Sequence, residues 1–255
     1  MDNLFKDKTV LISGGLGDIG RAIVTRFAQQ GANIAIGDLL PESEAATFLK
    51  ELQPYKGLYS YTTVDVTDDT AVNKWIIDTE TTQGIISMVI ANAAMVTLAD
   101  VKSITAQQWS KELQVNLNGA FYVTQAATRR MVHHKIPGRV VFIGSWAAHA
   151  PHPGIPAYCV SKAGIRMLCR CMALELAPYQ ILVNEIAPGY VAAGLSARVW
   201  KQQPDAAEEA RQKVPVKKVI SPDEVAWQVV NLCHPENSQM TGSTIVMDGG
   251  LSLLS

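Results

Sequence analysis

The chain has 255 residues, 48% hydrophobic and 18% charged, a globular composition rather than a disordered one. Its 22 Lys and Arg against 23 Asp and Glu leave a formal net charge of −1, too small for a long-range pull toward nucleic acid or an anionic membrane. No window approaches ~18 consecutive apolar residues, and Met1-Asp2-Asn3 leads toward a strand with no leader pattern, so a soluble, cytoplasmic protein is expected.

Apolar, β-branched runs alternate with helical patterns from one end to the other. Strands are predicted near Thr9–Ser13, Asn33–Gly37, Leu58–Val64, Ser87–Ala91, Arg139–Gly144, Leu182–Ala187 and Thr244–Met247. These runs are nearly continuous in apolar residues, as expected when helices cover both faces of a sheet. The first helix, about Asp18 to Gln30, carries Ile19, Ile23 and Phe27 on one face and stops at Gly31. A long fourth helix contains Asn116 and ends in a basic run, Arg129, Arg130, His133, His134 and Lys135, which suits a helix C-terminus. The last helix starts on Ser221-Pro222-Asp223-Glu224, a capping box with proline at the first helical position. Such alternation predicts a doubly wound α/β sandwich, with seven parallel strands, as one domain over residues 1–255. Residues 189–220 lack a strand pattern and form a candidate substrate lid.

Of the four cysteines, Cys159, Cys169 and Cys171 fall in one predicted helix and Cys233 in another. Cys169 and Cys171, two apart, point in different directions, and no Cys/His spacing matches a zinc site, so buried, reduced thiols and no metal are expected.

Directly after the first strand comes Ser13-Gly14-Gly15-Leu16-Gly17-Asp18-Ile19-Gly20. Glycines let this turn approach a pyrophosphate, and the following helix presents free N–H groups and partial positive charge to it. The second strand ends at Asp38, eighteen residues beyond Gly20. A carboxylate there can accept hydrogen bonds from adenosine ribose hydroxyls and repel a 2′-phosphate, and Leu39 and Leu40 offer no cation to bind one. NAD is the expected cofactor. Further along, Tyr158 and Lys162 stand at i, i+4 on one helix face, where an ammonium beside a phenol favours phenolate. Ser145 follows the fifth strand, placed to hydrogen-bond a substrate oxygen. Asn116 occupies a helix interior, a poor place for asparagine unless its side chain is engaged.

Together these features resemble the short-chain dehydrogenase/reductase family over essentially the whole chain. The matching pieces are the Ser13–Gly20 loop, Asp65-Val66, Asn92-Ala93-Ala94, Asn116, Ser145 thirteen residues before Tyr158, Lys162, Asn184 through Gly189, and Asp248-Gly249-Gly250. The resemblance implies a Rossmann fold, a nicotinamide-dependent hydride transfer and a homotetramer. It implies Tyr158 as general base in alcohol oxidation and general acid in carbonyl reduction. Lys162 would lower the Tyr158 pKa and hold the nicotinamide ribose, Ser145 would orient the substrate oxygen, and Asn116 would anchor a water leading protons to solvent. Gly14, Gly17, Asp18, Ile19 and Gly20 would surround the pyrophosphate, with Asp38 and Leu39 at the adenosine ribose. Asp65 and Val66 would meet the adenine, Asn92 and Ala93 would lie along the cofactor, and Pro188, Gly189 and Val191 would line the nicotinamide.

Two positions depart from the family pattern. Asp18 stands where the single-domain branch has glycine, a spacing that looks like the extended, epimerase-containing branch; too little chain follows Gly250 for that branch's extra domain. Asp18 would cap the first helix, since a carboxylate close to a pyrophosphate is unfavourable unless it points away. Ala193 replaces a threonine that commonly bonds the nicotinamide amide.

Around the predicted centre lie Trp146, His149 and His152, with Arg198, Trp200 and Lys201 in the candidate lid, a set able to hold a polar or anionic substrate such as a sugar or sugar acid. The favoured reading is an NAD-dependent dehydrogenase of a secondary alcohol, giving a ketone or lactone. A nicotinamide-retaining epimerase or dehydratase, a reductase of 3-oxoacyl or steroid ketones, and a non-catalytic dinucleotide sensor stay open beside it.

Overall fold

Val10, Leu11 and Ile12 are wholly buried in the first strand, β1 (Thr9–Ser13), from which the sheet extends both ways. The computed structural model describes residues 3–194, 196–197, 200 and 204–254. After β1 come α1 (Asp18–Gln29), β2 (Asn33–Asp38), α2 (Glu42–Glu51), β3 (Tyr59–Thr63), α3 (Asp69–Gln83) and β4 (Ile86–Ala91). Then follow α4 (Ala106–Leu113), α5 (Ala120–His134), β5 (Gly138–Ile143), α6 (Pro156–Leu176), β6 (Ile181–Pro188), α7 (Pro204–Lys213), α8 (Pro222–Leu232) and β7 (Thr244–Met247). Every predicted strand is present to within one residue at each end.

The seven strands form one parallel sheet in the order β3-β2-β1-β4-β5-β6-β7, with helices on both faces, which is an α/β Rossmann fold. The chain runs outward from β1 to β3 and then returns to lay β4 on the other side of β1. At that reversal the connections leave in opposite directions and open a crevice at the carboxyl ends of the strands. Ser13 is in register with both Gly37 and Ala91, so the glycine loop, Asp38 and Asn92 emerge together at this crevice.

On one face, Ile23, Val24 and Phe27 of α1 pack with Val225, Ala226 and Val229 of α8, and Phe5 meets Phe27 at a ring-centroid distance of 5.1 Å. On the other, Trp75 and Ile76 of α3, Val123 of α5 and Ile165 of α6 cover the sheet. Each such side chain contributes about 1.5–3 kcal/mol by leaving water. Arg26 and Asp223 clamp α1 to α8 at the rim. The capping box is formed in full: Glu224 N donates to Ser221 Oγ at 3.2 Å, and Ser221 N donates to Glu224 Oε2 at 2.8 Å.

Three local expectations change. The long fourth helix is two helices, joined by a π-helical turn over Gln114–Gly119 that holds Asn116. A turn of this kind displaces side chains from the regular helical positions and often marks a functional site. The basic run after it is more than a solvated helix end, because Arg130 reaches Glu80 of α3 at 2.6 Å. Finally, all four cysteines are free, yet only Cys169 and Cys233 are buried, Cys171 being exposed. Beyond β6, Val191 and Ile220 pair in an isolated bridge, so the candidate lid leaves and rejoins the body at adjacent points.

Candidate active site

The glycine loop is held by its neighbours across the crevice. Asn92 Nδ2 donates to Gly14 O at 2.8 Å, while Ser13 Oγ accepts from the N–H groups of Asn92 and Ala93 at 3.2 and 3.3 Å. Asn92 thus braces the loop. Gly14 has φ +65°, and a Cβ on it would lie 2.7 Å from Ala93 Cα; a Cβ on Gly20 would lie 2.1 Å from Gly14 O. Only glycine satisfies either position. Gly17 precedes α1 without any side-chain cap, which leaves the first-turn N–H groups of Asp18, Ile19 and Gly20 without a side-chain acceptor.

Asp38 Oδ2 accepts from Leu16 N at 3.0 Å, joining the carboxylate to the glycine loop, and Leu39 beside it is largely exposed. Asp65, Thr67 and Leu39 line a cavity of about 490 Å³ with Lys111, Gln114, Val115 and Tyr122. Those last four residues escaped the sequence reading, because no local pattern brings α4 and α5 to the end of β3. Val66 is buried at the same corner, so close to Gly119 that a Cβ there would lie 2.6 Å from Val66 Cγ2. The glycine cradle, the uncapped helix end and the acid at the second strand fit a dinucleotide without a 2′-phosphate.

Asp18 does not cap the first helix. Its Oδ2 accepts from Gly194 N at 2.7 Å, tying the start of α1 to the segment after β6. That bond sits beside Pro188, Gly189 and Val191, where β6 ends and the chain leaves the sheet.

At the ends of β5 and α6 the polar residues meet. Ser145 is buried, its Oγ accepts from Ala147 N at 3.1 Å, and it hydrogen-bonds Tyr158. Tyr158 sits in the first turn of α6. Burial pushes its phenol up to about 12, with the Ser145 hydrogen bond pulling the other way. Lys162, one turn on, is buried; its Nζ donates to Ile143 O at 2.7 Å and lies 5.5 Å from the Tyr158 ring centroid. Burial lowers its ammonium to about 8, against the opposing charges of Glu185 and Glu112. Burial is the largest cause of both shifts. Asn116, fully buried in the π turn, accepts from Met95 N at 2.8 Å and donates to Met95 O at 2.9 Å and Ser161 Oγ at 3.1 Å. Ser161 Oγ in turn donates to Tyr158 O at 2.8 Å, which links Asn116 to the helix carrying Tyr158 and Lys162.

One wall beside Ser145 is aromatic. Trp146 stacks obliquely on His152 with ring centroids 4.2 Å apart, and Tyr190 meets its edge at 5.5 Å. Burial lowers the His152 pKa, and its Nε2 has no hydrogen-bond partner among the described residues. His149 is exposed. Trp200 is described and half-buried, whereas Arg198 and Lys201 lie outside the described residues. Tyr190 escaped the sequence reading, although its place directly after Pro188-Gly189 was a usable signal.

The family model for enoyl-(acyl carrier protein) reductase matches residues 15–252. The chain belongs to the short-chain dehydrogenase/reductase family. As a member, it is an NAD-dependent oxidoreductase acting on a CH–OH group. It is 32% identical to the 3-oxoacyl-[acyl-carrier-protein] reductase MabA of Mycobacterium tuberculosis, over 98% of this chain and 94% of that one. It is 31% identical to the short-chain dehydrogenase/reductase eriH of Hericium erinaceus, over 94% and 96% of the two chains. A crystal structure of NAD⁺-bound xylitol dehydrogenase superposes with a TM-score of 0.90 at 28% identity, covering 96% of this chain and 99% of that one. Among the described residues of this family member, no helix is long and apolar enough to cross a membrane.

Proposed function

We propose that the chain interconverts a secondary alcohol of a small polar molecule, such as a polyol, sugar or sugar acid, with the ketone or lactone. The observation that carries this reading is the convergence of Ser145, Tyr158, Lys162 and Asn116 at one end of the sheet, beside the glycine cradle. When bound, the nicotinamide accepts or supplies the hydride. Ser145 Oγ holds the substrate oxygen toward Tyr158, and the phenol gives its proton to a carbonyl or takes one from an alcohol. Lys162 orients the nicotinamide ribose, and Asn116 keeps the protein side of the proton path in place. Trp146, His152 and Tyr190 favour a substrate that combines a flat or apolar face with a hydrogen-bonding group, since His152 Nε2 has no partner among the described residues. Residues 189–220 act as the lid.

A second reading is reduction of a 3-oxoacyl group, favoured by the likeness to MabA. Turnover of NAD(H) with polyols, sugar acids, 3-oxoacyl thioesters and steroid ketones separates the two. No turnover on any alcohol or ketone, with cofactor bound, would favour an epimerase or a sensor.

The oligomer we propose, a homotetramer, uses α5 and α6. Val160, Met167 and Leu174 recur every seven residues on α6 and are 47%, 56% and 80% exposed, an apolar stripe suited to a second copy. Light scattering tests this. A reducing, cytoplasmic setting suits the four free thiols.

A further inference from the structure

Glu112 is a buried carboxyl group that the proposed chemistry leaves unused. It is completely buried on α4, one turn before Asn116. Its Oε2 accepts from Thr97 N at 2.9 Å, and Asn116 bonds both backbone groups of Met95. The two side chains therefore grip alternate residues of the irregular segment that follows β4. For the grip alone a glutamine would serve equally, since its amide oxygen accepts the same Thr97 bond. A carboxylate is costly to bury there. Its Oε1 has no hydrogen-bond partner, and among the described residues no Lys, Arg or His lies within ion-pair distance of it.

The other buried carboxylate behind the site differs. Glu185 of β6 is met by Arg166 at 3.0 Å and by Thr244 Oγ1 at 2.6 Å, so its charge has a cation and a hydroxyl donor. Asn116, one turn on from Glu112, donates to Ser161 Oγ at 3.1 Å, and Ser161 stands between Tyr158 and Lys162 on α6, so the Glu112 charge acts on both of those groups across this contact. Those groups also feel Glu185 from β6, Ser145 from the end of β5, and Cys159 from α6 itself.

We infer that Glu112 is a positioning residue for proton transfer, setting through its charge the pH at which the Tyr158–Lys162 pair releases its proton. This rests on the reading of Tyr158 as the proton-transfer group. An anion beside the pair favours the protonated ammonium and the protonated phenol alike. Removing the charge eases proton release, so alcohol oxidation reaches its plateau at lower pH. Burial raises the Glu112 pKa itself, so the acid limb carries this group's titration as well.

The test is the pH profile of kcat for NAD⁺-dependent oxidation by wild type, Glu112→Gln and Glu112→Asp. Glu112→Gln is expected to move the rising limb toward acid by about one pH unit while leaving the KM for NAD⁺ unchanged. Glu112→Asp, which retains the charge, is expected to keep the limb at its wild-type position despite a lower Tm. Should Glu112→Gln prove too unstable to assay, Glu112→Leu gives the same reading, because an apolar isostere of a buried acid is commonly tolerated. A Glu112→Gln limb that coincides with wild type, with only Tm lowered, overturns the inference. Failure of both neutral variants to fold overturns it too, by leaving Glu112 a structural role alone. A wild type without NAD turnover would instead overturn the proposed function beneath it.

Discussion

The Asp18 carboxylate accepts a hydrogen bond at 2.7 Å from the backbone N–H of Gly194, 176 positions along the chain. The bond joins the anion-binding end of α1 to the segment that leaves the sheet after β6. Asp18 is therefore engaged with the chain that leaves the sheet and does not cap α1. It also supplies a tether near Ala193, where the family commonly has a threonine.

Replacing Asp18 with glycine restores the usual loop residue but loses the tether. A single hydrogen bond to a charged group contributes about 1.5–3 kcal/mol, less at an exposed site. Asp18→Gly is expected to speed hydrogen exchange at residues 189–194 in the free enzyme and to raise KM for NAD severalfold. Unchanged exchange there would mean that the bond does not hold the segment.

Tyr158→Phe removes one hydroxyl and keeps the ring packing. NAD binding and Tm are expected to stay near wild type, with kcat reduced on the order of 10²–10⁴-fold. Retention of a tenth of the activity would remove Tyr158 from the proton transfer. Steady-state kinetics and cofactor titration on the same preparation decide it.

Asp38 is expected to make kcat/KM with NAD at least ten- to a hundredfold higher than with NADP, from charge-assisted hydrogen bonds of roughly 1.5–3 kcal/mol. Because Asp38 also accepts from Leu16 N, Asp38→Ala should weaken both cofactors by loosening the glycine loop. Asp38→Asn keeps an acceptor for Leu16 and isolates the charge, so it should narrow the preference mainly by weakening NAD. Equal kcat/KM values in the wild type would show that the carboxylate does not meet the ribose.

Stability should carry the signature of Lys162 and Tyr158. The Lys162 ammonium titrates near 8 when folded and near 10.5 when unfolded, so the unfolded chain binds more protons between those values. Stability therefore rises with pH across that window. Tyr158 has the opposite sense, its folded phenol keeping a proton up to about 12 against 10 unfolded, so stability falls as pH climbs above 10. Lys162→Met should flatten the rise between pH 8 and 10.5, measured by denaturant unfolding. An identical slope in that variant would place the titration on another group.

Periodicity and local chemistry were enough to read the strands, the capped start of α8, the glycine cradle and the acid closing β2. Each depends on residues adjacent in sequence or a few positions apart: a buried strand needs a continuous apolar run, and a capping box needs Ser221 and Glu224 three apart. Family spacing added Asn116, Ser145, Tyr158 and Lys162. What Asp18 bonds to, why Asn92 is there, and that Glu112 stands uncompensated near Lys162 were decided only by the tertiary structure. Those properties depend on burial and on partners brought together by the β1/β4 crevice and by the π turn before α5. The burial that raises the Tyr158 phenol and lowers the Lys162 ammonium is likewise a property of the packed site, which an i, i+4 spacing alone does not show.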